Sequence, residues 1–91
     1  MSETVEKTIT IVNKLGLHAR AASQFVHLAG KFNSEVFISK GDQEVNGKSI
    51  MGILILAAAK GTQIRIRAEG EDAADALAAL AELVENGFGE D

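Results

Sequence analysis

Each segment of this 91-residue chain with helical spacing carries a single apolar stripe, and each strand-like segment alternates between apolar and polar residues. Elements of that kind have one face to bury, so they must stack as two layers, one sheet face covered and the other wet. Thr8-Ile9-Thr10-Ile11-Val12 is β-branched and alternating and predicts the first strand. Asn13 to Gly16 is a turn. Ala22, Phe25, Ala29 and Phe32, with Val26 beside them, then recur at helical spacing. Arg20, Ser23, Gln24, His27 and Lys31 form the opposite, polar stripe.

Glu35–Ser39 predicts a second strand, Lys40-Gly41-Asp42 a turn, and Gln43–Asn46 a third strand returning as a hairpin. Asn46-Gly47 looks like another hairpin turn, but the pattern after it is helical. Ser49 suits the N-cap of a short helix from Ile50 to about Ala58, with Gly61 ending that unit. Thr62–Ala68 is the fourth strand, with Ile64, Ile66 and Ala68 on one face and Arg65 and Arg67 on the other. A last helix starts near Gly70-Glu71-Asp72, whose acids suit the positive end of the helix dipole. Its stripe is Ala73, Leu77, Leu80 and Val84, flanked by Ala76 and Leu83. Gly87 fits a left-handed C′ position, and Phe88 can fold back on Leu83. The order is βαββαβα, an α+β two-layer open-faced sandwich with an antiparallel sheet, expected as a single domain over residues 1–91.

Composition narrows the chemistry. No cysteine is present, so disulfides, thiolate metal sites and cysteine nucleophiles are excluded, and reducing cytoplasm is the simplest setting. The polar, acidic start Met1 to Lys7 is unlike a signal peptide, and the apolar run Ile50–Ala59, broken by Gly52, is too short to span a bilayer. From Glu69 to Asp91 there are eight acids and no base, so the first 68 residues hold nine bases against five acids. That local excess suits an acidic protein partner. Few aromatics and no dense basic stripe argue against nucleic acid.

The residues that carry chemistry lie in Gly16-Leu17-His18-Ala19-Arg20. An imidazole at the start of an amphipathic helix is a candidate nucleophile toward phosphorus. The first helical N–H groups lack intrahelical partners and carry the positive dipole end, and Arg20 adds a permanent guanidinium fork. A second motif is Asn46-Gly47-Lys48-Ser49-Ile50-Met51-Gly52. With these two motifs at this separation and in this element order, the chain, from Thr8 to about Gly87, resembles the HPr family, the histidine phosphocarriers of the phosphoenolpyruvate-dependent sugar phosphotransferase system.

The resemblance implies strand order 1-4-2-3 with three helices on one face. It implies that His18 takes a phosphoryl group on Nδ1 from phosphorylated enzyme I and passes it to a histidine or cysteine of an enzyme II component of the A type. Arg20 would offset the phosphoryl charge, and the N–H groups of Ala19 and Arg20 would bind its oxygens. Ser49 resembles the serine modified by a bifunctional HPr kinase/phosphorylase, and a phosphate there would repel an acidic partner while sparing the fold. Ile50, Met51 and Leu54 would form an exposed apolar docking patch, with Ser23, Gln24, His27 and Lys48 as further contact residues. The family usually has proline where Ala21 stands, a change expected to loosen the helix start by about 0.5 kcal/mol without removing transfer chemistry.

The expected protein is thus a cytoplasmic, monomeric carrier and not an enzyme, with no cofactor, no metal, no nucleic-acid partner and no membrane insertion. A nitrogen-branch phosphocarrier with a signalling role and a Ser49-based regulatory module are the alternatives. An enzyme using His18 as general base ranks last, because no carboxylate or second catalytic group accompanies the histidine in the sequence.

Overall fold

The structure is a computed structural model and describes residues 3–90. Met1, Ser2 and Asp91, which entered the reading of charge and of the N-terminal segment, lie outside the described residues. The chain runs β1 (Glu3–Thr10), α1 (Ala19–Ala29), β2 (Glu35–Lys40), β3 (Gln43–Asn46), α2 (Ile50–Leu56), β4 (Gln63–Gly70) and α3 (Ala73–Glu85), closing on a 3-10 turn at Gly87–Gly89. The four strands form one antiparallel sheet in the order β1-β4-β2-β3, with the three helices on one face.

Alternation makes the sheet two-faced. Ile9, Val36, Ile38, Ile64, Ile66 and Ala68 are buried under the helices, which contribute Ala22, Phe25, Ile53, Leu56, Leu80 and Val84. On the other face Arg67 lies over the Phe37 ring, 4.2 Å from its centroid, and pairs with Glu44 at 2.8 Å and with Glu69. Lys7, on the outer strand β1, pairs with Glu85 of α3 at 3.0 Å, so a charge guards that edge against further strand pairing.

Several boundaries correct the sequence-based expectation. β1 is not Thr8–Val12 but Glu3–Thr10, because the polar segment before Thr8 pairs with β4 from Glu3↔Gly70 to Thr10↔Gln63. Val12 leaves the sheet and is exposed, whereas Ile11 turns inward and is fully buried. β2 and β4 run on to Lys40 and Gly70. α2 stops at Leu56 and not near Ala58, and its terminator is Ala57, in the left-handed conformation at φ 50°, before Gly61 is reached. In α1 the buried set is Ala21, Ala22, Phe25 and Ala29, while Phe32 lies beyond the helix and is only partly buried. In α3 Ala81 is buried where Leu77 was expected, and Leu77 and Leu83 pack at the margin. Gly87 is left-handed, as anticipated, and Phe88 is buried in the main core, against which Leu83 also packs.

Asp72 stands at the N-cap of α3 but makes no side-chain cap bond. Its carboxylate instead accepts the Asn33 N–H at 2.8 Å, the Ser34 N–H at 2.9 Å and the Ser34 hydroxyl, fastening the α1–β2 turn to the start of α3. These bonds, led by the Ser34 hydroxyl and then the Asn33 N–H, hold its pKa below the ordinary value of 3.8. A carboxyl whose pKa falls on folding binds fewer protons in the folded state. Its contribution is therefore complete above the unfolded value and is lost as pH falls through the folded one. Asp72→Asn is expected to have a lower urea midpoint than wild type at pH 7, with the gap narrowing below about pH 4. A gap of equal size at pH 3 would remove the charge from this account.

Candidate functional site

His18 is the N-cap of α1. Its extended backbone (φ −79°, ψ 179°) turns the chain into the helix, and its carbonyl accepts the Ala22 N–H at 2.8 Å. The loop before it is seated on the segment after α2: the Leu17 N–H donates to the Ala58 carbonyl at 2.9 Å, and Gly16, at φ +67°, lies against the Ala58 and Ala59 backbone. Leu17 is buried, which anchors the residue preceding the histidine. The imidazole is thus held at the junction of α1 with the α2–β4 segment, with its side chain 27% exposed.

The two ring nitrogens have different partners. The Arg20 backbone N–H donates to Nδ1 at 3.3 Å, so that nitrogen presents its lone pair to the helix start. Nε2 lies 2.5 Å from Oε2 of Glu90, which fixes the proton on Nε2 when the ring is neutral. Glu90 is held in turn by Asn13, whose Nδ2 donates to its Oε1 at 3.0 Å and to the Gly16 carbonyl at 2.8 Å. The Asn13 amide, followed by the His18 hydrogen bond and the charges of His18 and Arg20, keeps the Glu90 carboxyl below the usual carboxylate range. It is ionised at neutral pH.

A carboxylate therefore does accompany His18, contrary to the expectation that none did, and it arrives from the far end of the chain. The 3-10 turn at Gly87–Gly89 delivers it: Phe88 is buried, the Gly89 N–H donates to the Asn86 carbonyl at 3.2 Å, and the Glu90 N–H to that of Gly87 at 3.0 Å. Lys14, Leu15, His18, Arg20, Gly89 and Glu90 line one open depression. Neither Asn13 nor Glu90 was singled out from the sequence. The only local signal was Gly87-Phe88-Gly89, an apolar residue set between glycines that returns the chain to the core.

The other expected site residues divide by position. Ala19 and Arg20 form the exposed first turn of α1, with Ser23 and His27 exposed further along it and Gln24 partly covered. Ser49 caps α2, its Oγ accepting the Gly52 N–H at 3.0 Å. Ile50, Met51 and Leu54 are exposed while Ile53 and Leu56 of the same helix are buried. Ile55, at 60% exposed, and Leu15, at 67%, add apolar surface that no sequence reading assigned. Lys48 is partly withdrawn: its Nζ donates to the Phe32 carbonyl at 2.8 Å, bracing the end of the α1 region.

Comparison with known proteins shows the family and the fold. The family model for the PTS HPr component phosphorylation site matches residues 5–86. Phosphocarrier protein HPr of Neisseria meningitidis serogroup A is 52% identical over 86 residues, covering 94% of this chain and 97% of that protein. Phosphocarrier protein NPr of Shewanella violacea is 41% identical over 86 residues, covering 94% of each. Among solved structures, HPr-C-His from Thermoanaerobacter tengcongensis matches with a TM-score of 0.92 and 47% identity, covering 96% of this chain and 98% of that one. Strand order, helix layer and near-full-length identity agree, and the chain belongs to the HPr family of phosphocarrier proteins of the phosphotransferase system.

Proposed function

We propose that this chain carries a phosphoryl group on Nδ1 of His18, receiving it from phosphorylated enzyme I and passing it to an enzyme II component of the A type. The observation that supports this most directly is the division of labour on the imidazole. Nε2 is occupied by Glu90, and Nδ1 offers its lone pair at a helix start beside Arg20. On transfer the Nδ1 lone pair attacks phosphorus and the bond from phosphorus to the donor breaks. The Arg20 N–H then passes from Nδ1 to a phosphoryl oxygen, joined by the Ala19 N–H, and the Arg20 guanidinium offsets the added charge. The protein supplies position and charge while the other components supply donor and acceptor, so it acts as a carrier and not an enzyme. The described residues include no helix long and apolar enough to cross a membrane, and in this reading the working unit is a cytoplasmic monomer.

Ile50, Met51 and Leu54, with the α1 residues Ser23, Gln24 and His27, form the docking face in this proposal. Apolar side chains left in water on a short helix gain most from a partner. Incubation with phosphoenolpyruvate and enzyme I, followed by intact mass measurement, is expected to add one acid-labile phosphate. No mass gain would overturn the reading. Relatedness to an NPr protein at 41% identity gives a lesser footing to a signalling role in the nitrogen branch. Transfer to a sugar-branch enzyme II component separates the two.

Ser49 is the regulatory residue of the proposal, the target of an HPr kinase/phosphorylase where one is present. It is a helix cap beside exposed Ile50 and Met51, so a phosphate there is tolerated by the helix dipole but opposes an acidic partner. Ser49→Asp is expected to leave the circular dichroism spectrum and melting close to wild type while slowing association with enzyme I. High salt should shrink the loss, since steering is screened beyond about 10 Å. Equal affinities at low salt would reduce Ser49 to a cap.

A further inference from the structure

The imidazole of His18 meets a carboxylate built into the fold from both sides. Glu90 is set on a 3-10 turn anchored by buried Phe88, and Asn13, itself tied to the Gly16 carbonyl, holds the second carboxylate oxygen. That leaves Oε2 directed at Nε2, 2.5 Å away, with the Glu90 side chain only 15% exposed. A carboxylate with one oxygen satisfied by an amide and the other by the ring has little freedom to leave.

We propose that Glu90 is a positioning residue for phosphotransfer: it keeps the proton of His18 on Nε2 both before and after Nδ1 is phosphorylated, so that the phosphoryl group always leaves from a protonated ring. The inference rests on the reading that Nδ1 is the phosphorylated atom. In the free protein the neutral ring carries its proton on Nε2, and Nδ1 attacks without first losing one. The new P–Nδ1 bond uses the Nδ1 lone pair, so the ring becomes cationic, and the Glu90 carboxylate lies against that charge. When the group moves on, the electron pair of the P–N bond returns to Nδ1 and the ring leaves as neutral imidazole. No proton is exchanged in either direction. A ring that had lost the Nε2 proton would have to leave as an imidazolate, a far poorer leaving group.

Among the described residues, the other charges lining the depression are the cations Arg20 on α1 and Lys14 on the preceding turn. Both favour the phosphoryl oxygens and disfavour a protonated ring, and among the described residues lining the depression Glu90 opposes them. Its carboxyl, held in the ionised form first by Asn13, keeps that role across the neutral range.

The test compares wild type with Glu90→Gln, which keeps the size and one acceptor but removes the charge. Both are phosphorylated chemically with phosphoramidate, independently of enzyme I, and the ring is followed by 15N NMR at neutral pH. The unphosphorylated variant is expected to show an increased share of the Nδ1–H tautomer. In the phosphorylated variant the Nε2 proton, no longer held by a carboxylate, is expected to exchange faster with water. Transfer to the acceptor should slow by roughly 10- to 100-fold, the range found when the hydrogen-bond partner of a metal-bound histidine is removed. Unchanged tautomer populations and unchanged proton exchange in the phosphorylated ring would overturn the proposal. Phosphate found on Nε2 would overturn it together with the assignment of Nδ1. A variant shifted in both spectra, in a protein that still takes no phosphate from enzyme I, would keep the positioning role and refute only the donor.

Discussion

His18→Ala is expected to abolish phosphoryl uptake from enzyme I while leaving the fold in place. The chemical loss is complete, because the only other histidine, His27, sits exposed in the last turn of α1 with no comparable setting. The structural loss is small. His18 caps α1 through one long contact from the Arg20 N–H, at 3.3 Å, and removing a capping side chain costs about 1 kcal/mol. Its carbonyl bond to Ala22 and the Leu17 anchor belong to the backbone and to a neighbouring residue, and both survive the substitution. Glu90 loses its ring partner but keeps Asn13. Intact mass after incubation with phosphoenolpyruvate and enzyme I should therefore show no added phosphate on a protein whose circular dichroism matches wild type. Labelling of the variant at an appreciable rate would show that another residue is the acceptor.

The element order, the hairpin, the Ser49 cap and the inward faces of β2 and β4 were legible in the sequence, because each depends on local alternation or a local cap. Where the reading failed, the deciding contact was remote or the local signal was absent. Thr4, Glu6 and Lys7 give the start of β1 the look of a polar leader, since this outer strand buries only Ile9 and owes its length to pairing with β4. α2 has apolar side chains at six of its seven positions, all but Gly52, so the single apolar stripe expected of each helix does not separate its faces. Only family resemblance picked out Ile50, Met51 and Leu54, and it passed over exposed Ile55. Ala57 in the left-handed conformation carries none of the glycine signal that usually ends a helix. Glu90 lies 72 positions from His18, and only the folding of the chain end around Phe88 brings the two together.

Gly16→Ala is expected to be the most destabilising small substitution near the site, and its cost should exceed what backbone conformation alone explains. Gly16 and Gly41 share the left-handed conformation, at φ +67° and +60°. An alanine forced into that region costs about 1–2 kcal/mol at either position. Their surroundings differ. A Cβ at Gly41 would meet nothing within 4 Å, whereas one at Gly16 would lie 2.4 Å from the Ala58 carbonyl oxygen and 2.9 Å from the Ala59 Cα. Both obstacles are backbone, so no side chain can swing aside. The loop or the α2–β4 segment must move, at a further cost of about 1–3 kcal/mol for the overlap. The same movement pulls on the Leu17 N–H bond to Ala58, worth about 1 kcal/mol. Gly16→Ala should thus lose about 3–6 kcal/mol, a melting temperature lower by roughly 12–48 °C for a domain of this size, against roughly 4–16 °C for Gly41→Ala. The excess measures how firmly the His18 loop is seated. Transfer should fall as well in Gly16→Ala, even at temperatures where it is folded, since the imidazole is aimed by that loop. Equal melting temperatures for the two variants would show that the contact with Ala58 relaxes freely, and that the loop is held by Leu17 and Asn13 instead.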